Sequence, residues 1–383
     1  MTIRVEVQGE LISWARERAR SDVEDLTRRF PRIHEWETGE VLPTLRQLEE
    51  FARVTHAPVG FLFLPEPPEE PIPLPDFRTI GDAEMRRESP DLLDTIFLCE
   101  QRQEWYREYG RANREDPLDF VGSMGLETEA MEAGASIRTK LEFEVDQRGA
   151  QWADAFRILT QQAEELGVLV MVSGVVGNNT HRKLNPEEFR GFAMVDAMAP
   201  LVFINGADTK AAKIFSLAHE LAHVWLGQSA LSDAEVGSRP GNPTERWCNQ
   251  VAAELLVPLH EIREKFNPDH PLDEELDRLA RVFKVSTLVV LSRAHDAGHL
   301  SWEEFRAAYR TELDRILSLM EDRASGGGGD FYNTQPVRVS RRFAQAVASS
   351  ALEGQTLFRD ALQLLGIKKL STFHELCHRL GVG

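Results

Sequence analysis

Residues 216–227 read SLAHELAHVWLG and carry His219, Glu220 and His223 in the order H-E-x-x-H. Side chains four apart on an α-helix share one face, so two imidazoles can converge on one ion while the glutamate projects beside them. That set of groups suits metal-assisted hydrolysis with the carboxylate as general base. The same spelling recurs at His374, Glu375 and His378, so the pattern alone does not choose between two helices.

Context separates them. Around the first copy Ile214, Phe215, Leu217, Ala218, Leu221, Ala222, Val224, Trp225 and Leu226 make most of the circumference apolar, while Lys213, Ser216, His219, Glu220 and His223 form one polar stripe. Such a helix is expected to be buried, with one edge on a cleft. Around the second copy Leu370, Phe373, Leu376 and Leu380 form a narrow apolar stripe that leaves the histidines toward solvent, and only five residues follow His378.

A structural zinc site closes with four protein ligands, whereas a catalytic one uses three and keeps a position for water. The third ligand is expected in TERWCNQVAAELLVP at 244–258, where Glu245 follows His223 by 22 residues and stands in the first turn of a second helix. An acid favoured by the helix dipole is the bland account of Glu245. Its competitor Glu254 lies in the apolar part of that helix and reads as a structural acid.

HELAHVWLG followed by ERWCNQVAAELLVP resembles the ImmA/IrrE family of zinc metallopeptidases. The resemblance implies His219, His223 and Glu245 as metal ligands, Glu220 as the base and one Zn2+ per chain, although Mn2+ and Fe2+ tolerate similar ligands. Trp247 stands where many members have a second acid, and Cys248 and Val251 replace an alanine and a phenylalanine, which reads as a packing change. A mainly helical, zincin-like α+β catalytic domain with a small sheet is implied, with the substrate backbone along one sheet edge. So is a zinc-dependent endopeptidase acting on a regulatory protein, a repressor or antitoxin-like partner with a helix-turn-helix. The alternative is a DNA-binding transcriptional regulator whose metal domain senses without hydrolysing. A sensor needs the ligands but no base, so Glu220 favours the enzyme.

The chain of 383 residues is long enough for two or three domains. Its net charge of -18 opposes general attraction to nucleic acid or anionic membranes. The N-terminus lacks the apolar core of a signal peptide and no run of 18 apolar residues occurs, so a cytoplasmic location without membrane contact is expected. Cys99, Cys248 and Cys377 are widely spaced and read as buried thiols.

Residues 1–64 read as four short helices resembling an Xre-like helix-turn-helix, through Trp36, Glu37, Gly39, Pro43, Thr44, Leu48 and Ala52. The recognition element offers His34 and Glu35, and residues 1–60 hold 9 basic against 11 acidic side chains. Phosphate contacts supply most DNA affinity, so this degenerate module is expected to contact protein rather than DNA, orienting a partner or gating the cleft. A Pro-rich linker at 65–77 leads to the metallopeptidase domain at 78–322. In that domain, helices at 91–113, 127–141 and 151–166 precede strands at 168–172, 191–195 and 201–204. The polar loop between the first two strands is a candidate cleft rim, but its His181 and Arg190 stay outside the assigned site. Helices at 272–283, 286–297 and 302–320 continue the domain. A Gly-rich linker at 323–335, with Tyr332 as a weak candidate to reach the cleft, leads to a helical extension at 336–383.

Overall fold

The computed structural model describes residues 4–19, 23–70, 72, 74, 75, 88–232, 242–321 and 331–382. The run Gly326–Gly329, the side chain of Tyr332 and part of the Pro-rich linker lie outside the described residues. The chain divides into two units, one of Met1–Pro73 with Ile80–Phe97 and one of Leu74–Thr79 with Leu98–Gly383.

The first unit contains α1 (Gly9–Arg18), α2 (Val23–Arg29), α3 (Ile33–Glu37) and α4 (Leu45–Thr55), followed by a short 3-10 helix at Val59–Phe63. Thr44 and Gln47 form a reciprocal capping box that sets the start of α4. Phe30, Trp36 and Phe51 pack edge to face or tilted, with centroids 5.6–6.3 Å apart, over Leu11, Ile12 and Leu48.

A helix α5 (Pro90–Ala112) runs from the first unit into the second, where α6 (Ala130–Lys140) and α7 (Trp152–Glu165) follow. Next come β1 (Leu169–Ser173), β2 (Gly191–Met194), β3 (Leu201–Asn205), the long α8 (Lys210–Leu226), β4 (Ala230–Ser232) and α9 (Pro243–Leu256). Helices α10 (Leu259–Lys265), α11 (Leu272–Phe283), α12 (Thr287–Asp296) and α13 (Trp302–Glu321) continue the domain, and α14 (Phe331–Val339), α15 (Arg341–Leu352), α16 (Phe358–Leu364) and α17 (Leu370–Leu380) end the chain. The fold is mainly helical α+β, with one small mixed sheet at its centre. No described helix is long and apolar enough to cross a membrane.

The sheet order is β1-β3-β2-β4, with β1 parallel to β3 and the other two pairings antiparallel. Every strand residue is buried. The cause is cover on both faces, which also explains why the strands read as apolar runs rather than as alternation. Val170, Val172, Ala193, Val202 and Ile204 join α7, α8 and α9 in the main core. Strand β1 also packs against α14 and α15. On α5, Gln103 donates to the carbonyls of Met194 and Ala199, both at 2.8 Å.

Candidate metal centre

Two helices bring the ligands together, and the sequence sets where each begins. Thr209 caps α8 by accepting from the Ala212 N–H, and Gly227 ends it in the left-handed region at φ 78°. A Cβ on Gly227 would stand 2.8 Å from the Cα of Gly122, so the next loop could not approach. That loop satisfies the helix end, because the N–H groups of Gly122 and Met124 donate to the carbonyls of Val224 and Trp225 at 3.0 Å. Asn242 caps α9, Pro243 occupies its first turn, and Glu245 follows at once.

His219, Glu220 and His223 are fully buried and Glu245 is 2% exposed. One carboxylate oxygen of Glu245 lies 3.1 Å from His219 Nε2 and the other 3.1 Å from His223 Nε2, while the two Nε2 atoms are 3.2 Å apart. Ligands at zinc distances in a tetrahedral shell are about 3.3 Å from one another, so each histidine–histidine and histidine–carboxylate spacing here is of the size that shell requires. Burial lowers the proton affinity of His223. Burial alone would also keep Glu245 protonated, yet the two imidazoles hold its carboxyl down at about 2. Two imidazoles and a carboxylate converging in a dry pocket suit a divalent cation. Among the described residues this is the group of three that could hold a metal ion.

Residues 163–295 match the model of the IrrE N-terminal-like domain, a peptidase family. The chain carries an IrrE N-terminal-like domain. A second family model, a domain of unknown function (DUF8813), matches residues 339–379. No curated protein matches the chain.

In the IrrE-like domain Glu220 stands apart from the ligand triangle. Both its oxygens are buried, with the Ser232 hydroxyl as the neighbouring donor and no cation paired with them among the described residues. Burial, with the neighbouring Glu245 carboxylate, raises its pKa well above the usual carboxylate range. Gly191 on β2 makes its space, since a Cβ there would lie 3.0 Å from Glu220 Oε1 and 2.9 Å from the carbonyl of Phe203. Strand register sets Gly191 opposite Ser232 of β4, whose hydroxyl is 3.4 Å from His223 Nε2. Strand β4 is the edge of the sheet beside the metal helix, and its Leu231 N–H donates to the carbonyl of Pro75 at 2.9 Å.

Glu254 has another role. It pairs with buried Arg293 and accepts from the Leu259 N–H at 3.1 Å, tying α9 to α10 and α12. Trp247 donates its indole N–H to the Thr128 carbonyl at 2.8 Å, and Cys248 and Val251 are core residues. His181 is exposed and Arg190 faces Asp208 at 3.5 Å. The second H-E-x-x-H does not converge: His374 and His378 are exposed, and Glu375 pairs with Arg379 at 2.7 Å.

Sequence reasoning missed β4, Gly191 and Arg148. Arg148 is 1% exposed and donates to the carbonyls of Phe143, Leu255, Leu256 and Phe283, which fastens the end of α9 to that of α11. Nothing local marks an arginine before a glycine as a core residue.

Proposed function

We propose that the chain is a zinc-dependent endopeptidase that hydrolyses a peptide bond in a regulatory protein, with His219, His223 and Glu245 holding the ion and Glu220 as general base. The observation that carries the reading is Glu220 itself, a fully buried carboxyl beside the candidate ligands that forms no ion pair among the described residues. A structural acid such as Glu254 is paired with buried Arg293, and a metal sensor has no use for a buried acid without a counter-charge. A divalent ion in this site would polarise water and the scissile carbonyl. Glu220 takes the proton from the attacking water and hands it to the leaving amine. Its raised proton affinity suits both transfers, since the group must gain a proton and then lose it.

The edge of β4 supports a polypeptide as substrate. Leu231 already donates to a main-chain carbonyl, that of Pro75, so the edge accepts extended backbone. A substrate strand would use the same donor. The resemblance to ImmA/IrrE proteins supports a repressor or antitoxin-like partner with a helix-turn-helix, and the acidic first 60 residues favour protein over DNA as the contact of the N-terminal helices. The test is Glu220→Gln in the full chain, compared with the wild type for bound metal and for cleavage of helix-turn-helix repressor or antitoxin-like proteins offered as substrates. Retained metal with lost cleavage is expected; cleavage at the wild-type rate would remove Glu220 from the chemistry.

A further inference from the structure

The C-terminal helices close an open cavity of about 1000 Å³ against α7 and β1, on a different set of residues from the metal centre. Its apolar lining comes from Phe156 of α7, Val170 of β1 and Pro336 and Val337 of α14. Its charged lining is mostly cationic, with Arg157, Arg341, Arg342 and Arg379 against the two acids Glu164 and Glu165, and Thr160, Gln161, Gln345 and His378 complete the polar lining. This inverts the charge of a chain that has 44 basic and 62 acidic residues. Arg342 is committed to the protein, with its Nε 2.7 Å from the Tyr106 hydroxyl, and Arg379 pairs with Glu375. Arg157 forms no side-chain hydrogen bond or ion pair among the described residues, and Arg341 forms no close ion pair but lies within Coulombic reach of Glu164.

Of the two acids, Glu164 accepts from the Ser340 hydroxyl and lies within Coulombic reach of Arg341, while burial raises its pKa. Glu165 accepts from Gln161 at 2.8 Å. The cavity therefore presents an apolar floor beneath guanidinium groups that outnumber its acids four to two, at a volume typical of small-molecule sites. An inorganic anion would leave the apolar lining unused, and a neutral apolar molecule would leave Arg157 without a counter-charge and the cationic excess unmet.

We propose that this cavity binds a small organic anion, an apolar or aromatic body bearing one acidic group that Arg157 and Arg341 receive. The site gives the domain of unknown function at 339–379 a ligand-facing role, since α15 and α17 supply Arg341 and Arg379.

The test uses 8-anilinonaphthalene-1-sulfonate as probe and N-phenyl-1-naphthylamine as its uncharged analogue, titrated into the full metal-loaded chain at physiological salt. The proposal expects saturable binding of the sulfonate at one site per chain and much weaker binding of the neutral analogue. The double variant Arg157→Glu, Arg341→Glu should bind the sulfonate at least about tenfold more weakly, given what charge-assisted hydrogen bonds contribute. Its melting temperature and metal content should not change, because both side chains are exposed. Arg263→Glu, Arg281→Glu makes the same charge change at two residues that do not line the cavity and should leave binding intact. Equal affinity for both probes, equal losses in the two double variants, or preferential displacement of the sulfonate by an acidic polypeptide would overturn the proposal.

Discussion

Replacing Arg148 by methionine tests how the metal helices are held. Methionine keeps much of the apolar volume but removes every donor that serves the carbonyls of Phe143, Leu255, Leu256 and Phe283. The contacts to Phe283, Leu255 and Phe143 measure 2.9, 3.1 and 3.3 Å, so three of them alone are real hydrogen bonds. Leaving a buried acceptor unsatisfied costs about 1–3 kcal/mol, and four at the low end give about 4 kcal/mol. Part of this is offset by not burying a cation. Burial pulls the Arg148 pKa down to about 9, a sign of that cost, although the guanidinium stays charged at neutral pH. The expected net loss is roughly 3 kcal/mol, large against the usual effect of a substitution. Urea unfolding followed by tryptophan fluorescence reads it, and Arg148→Lys, which keeps the charge without the fork, should fall between. A loss below about 1 kcal/mol would mean that the carbonyls find other partners and that α9 is not held as described.

Three further outcomes follow from the same geometry. Gly191→Ala pushes a methyl against Glu220 and the Phe203 carbonyl, so it should cost about 1–3 kcal/mol in thermal or urea unfolding while the folded protein keeps its metal; wild-type stability would contradict the close approach. Glu254→Ala strands buried Arg293 and should cost about 3–5 kcal/mol, with bound metal in the folded fraction unchanged; loss of metal would put Glu254 in the ligand set. Glu275 is held at about 2 against the pull of burial by Arg278, the Asn267 N–H and His270. Its folded pKa lies below the unfolded value of about 4.3, so its contribution is complete above that pH and disappears as pH falls toward 2. The stability gap between wild type and Glu275→Gln should therefore close over that interval in acid titrations; a constant gap would contradict it.

The parts legible in the sequence are those whose signal is local and periodic. The metal helix announces itself by an apolar circumference with one polar stripe, and Glu245 by its place 22 residues after His223 in the first turn of a second helix. Strands β1, β2 and β3 are visible as β-rich apolar runs. Strand β4 is three residues long, too short for any pattern, yet it supplies the edge beside the site. Gly191 looks like an ordinary strand glycine until α8 is packed against β2 and the Glu220 side chain needs its space. Arg148 and Asn178 depend on partners distant in the chain: Asn178 donates to the Gly366 carbonyl and accepts from Arg338, which fastens its loop to the C-terminal helices. Long-range pairing leaves no trace in local spacing, and neither do the apolar floor and the guanidinium groups of the α7 cavity, which come from five separate elements.

The most direct test of the central claim is bound metal per chain, measured by elemental analysis on folded wild type, His219→Ala, Glu245→Ala and His374→Ala. The account predicts about one ion in the wild type and in His374→Ala, and none in the other two. Metal that survives loss of Glu245, or that depends on His374, would contradict it.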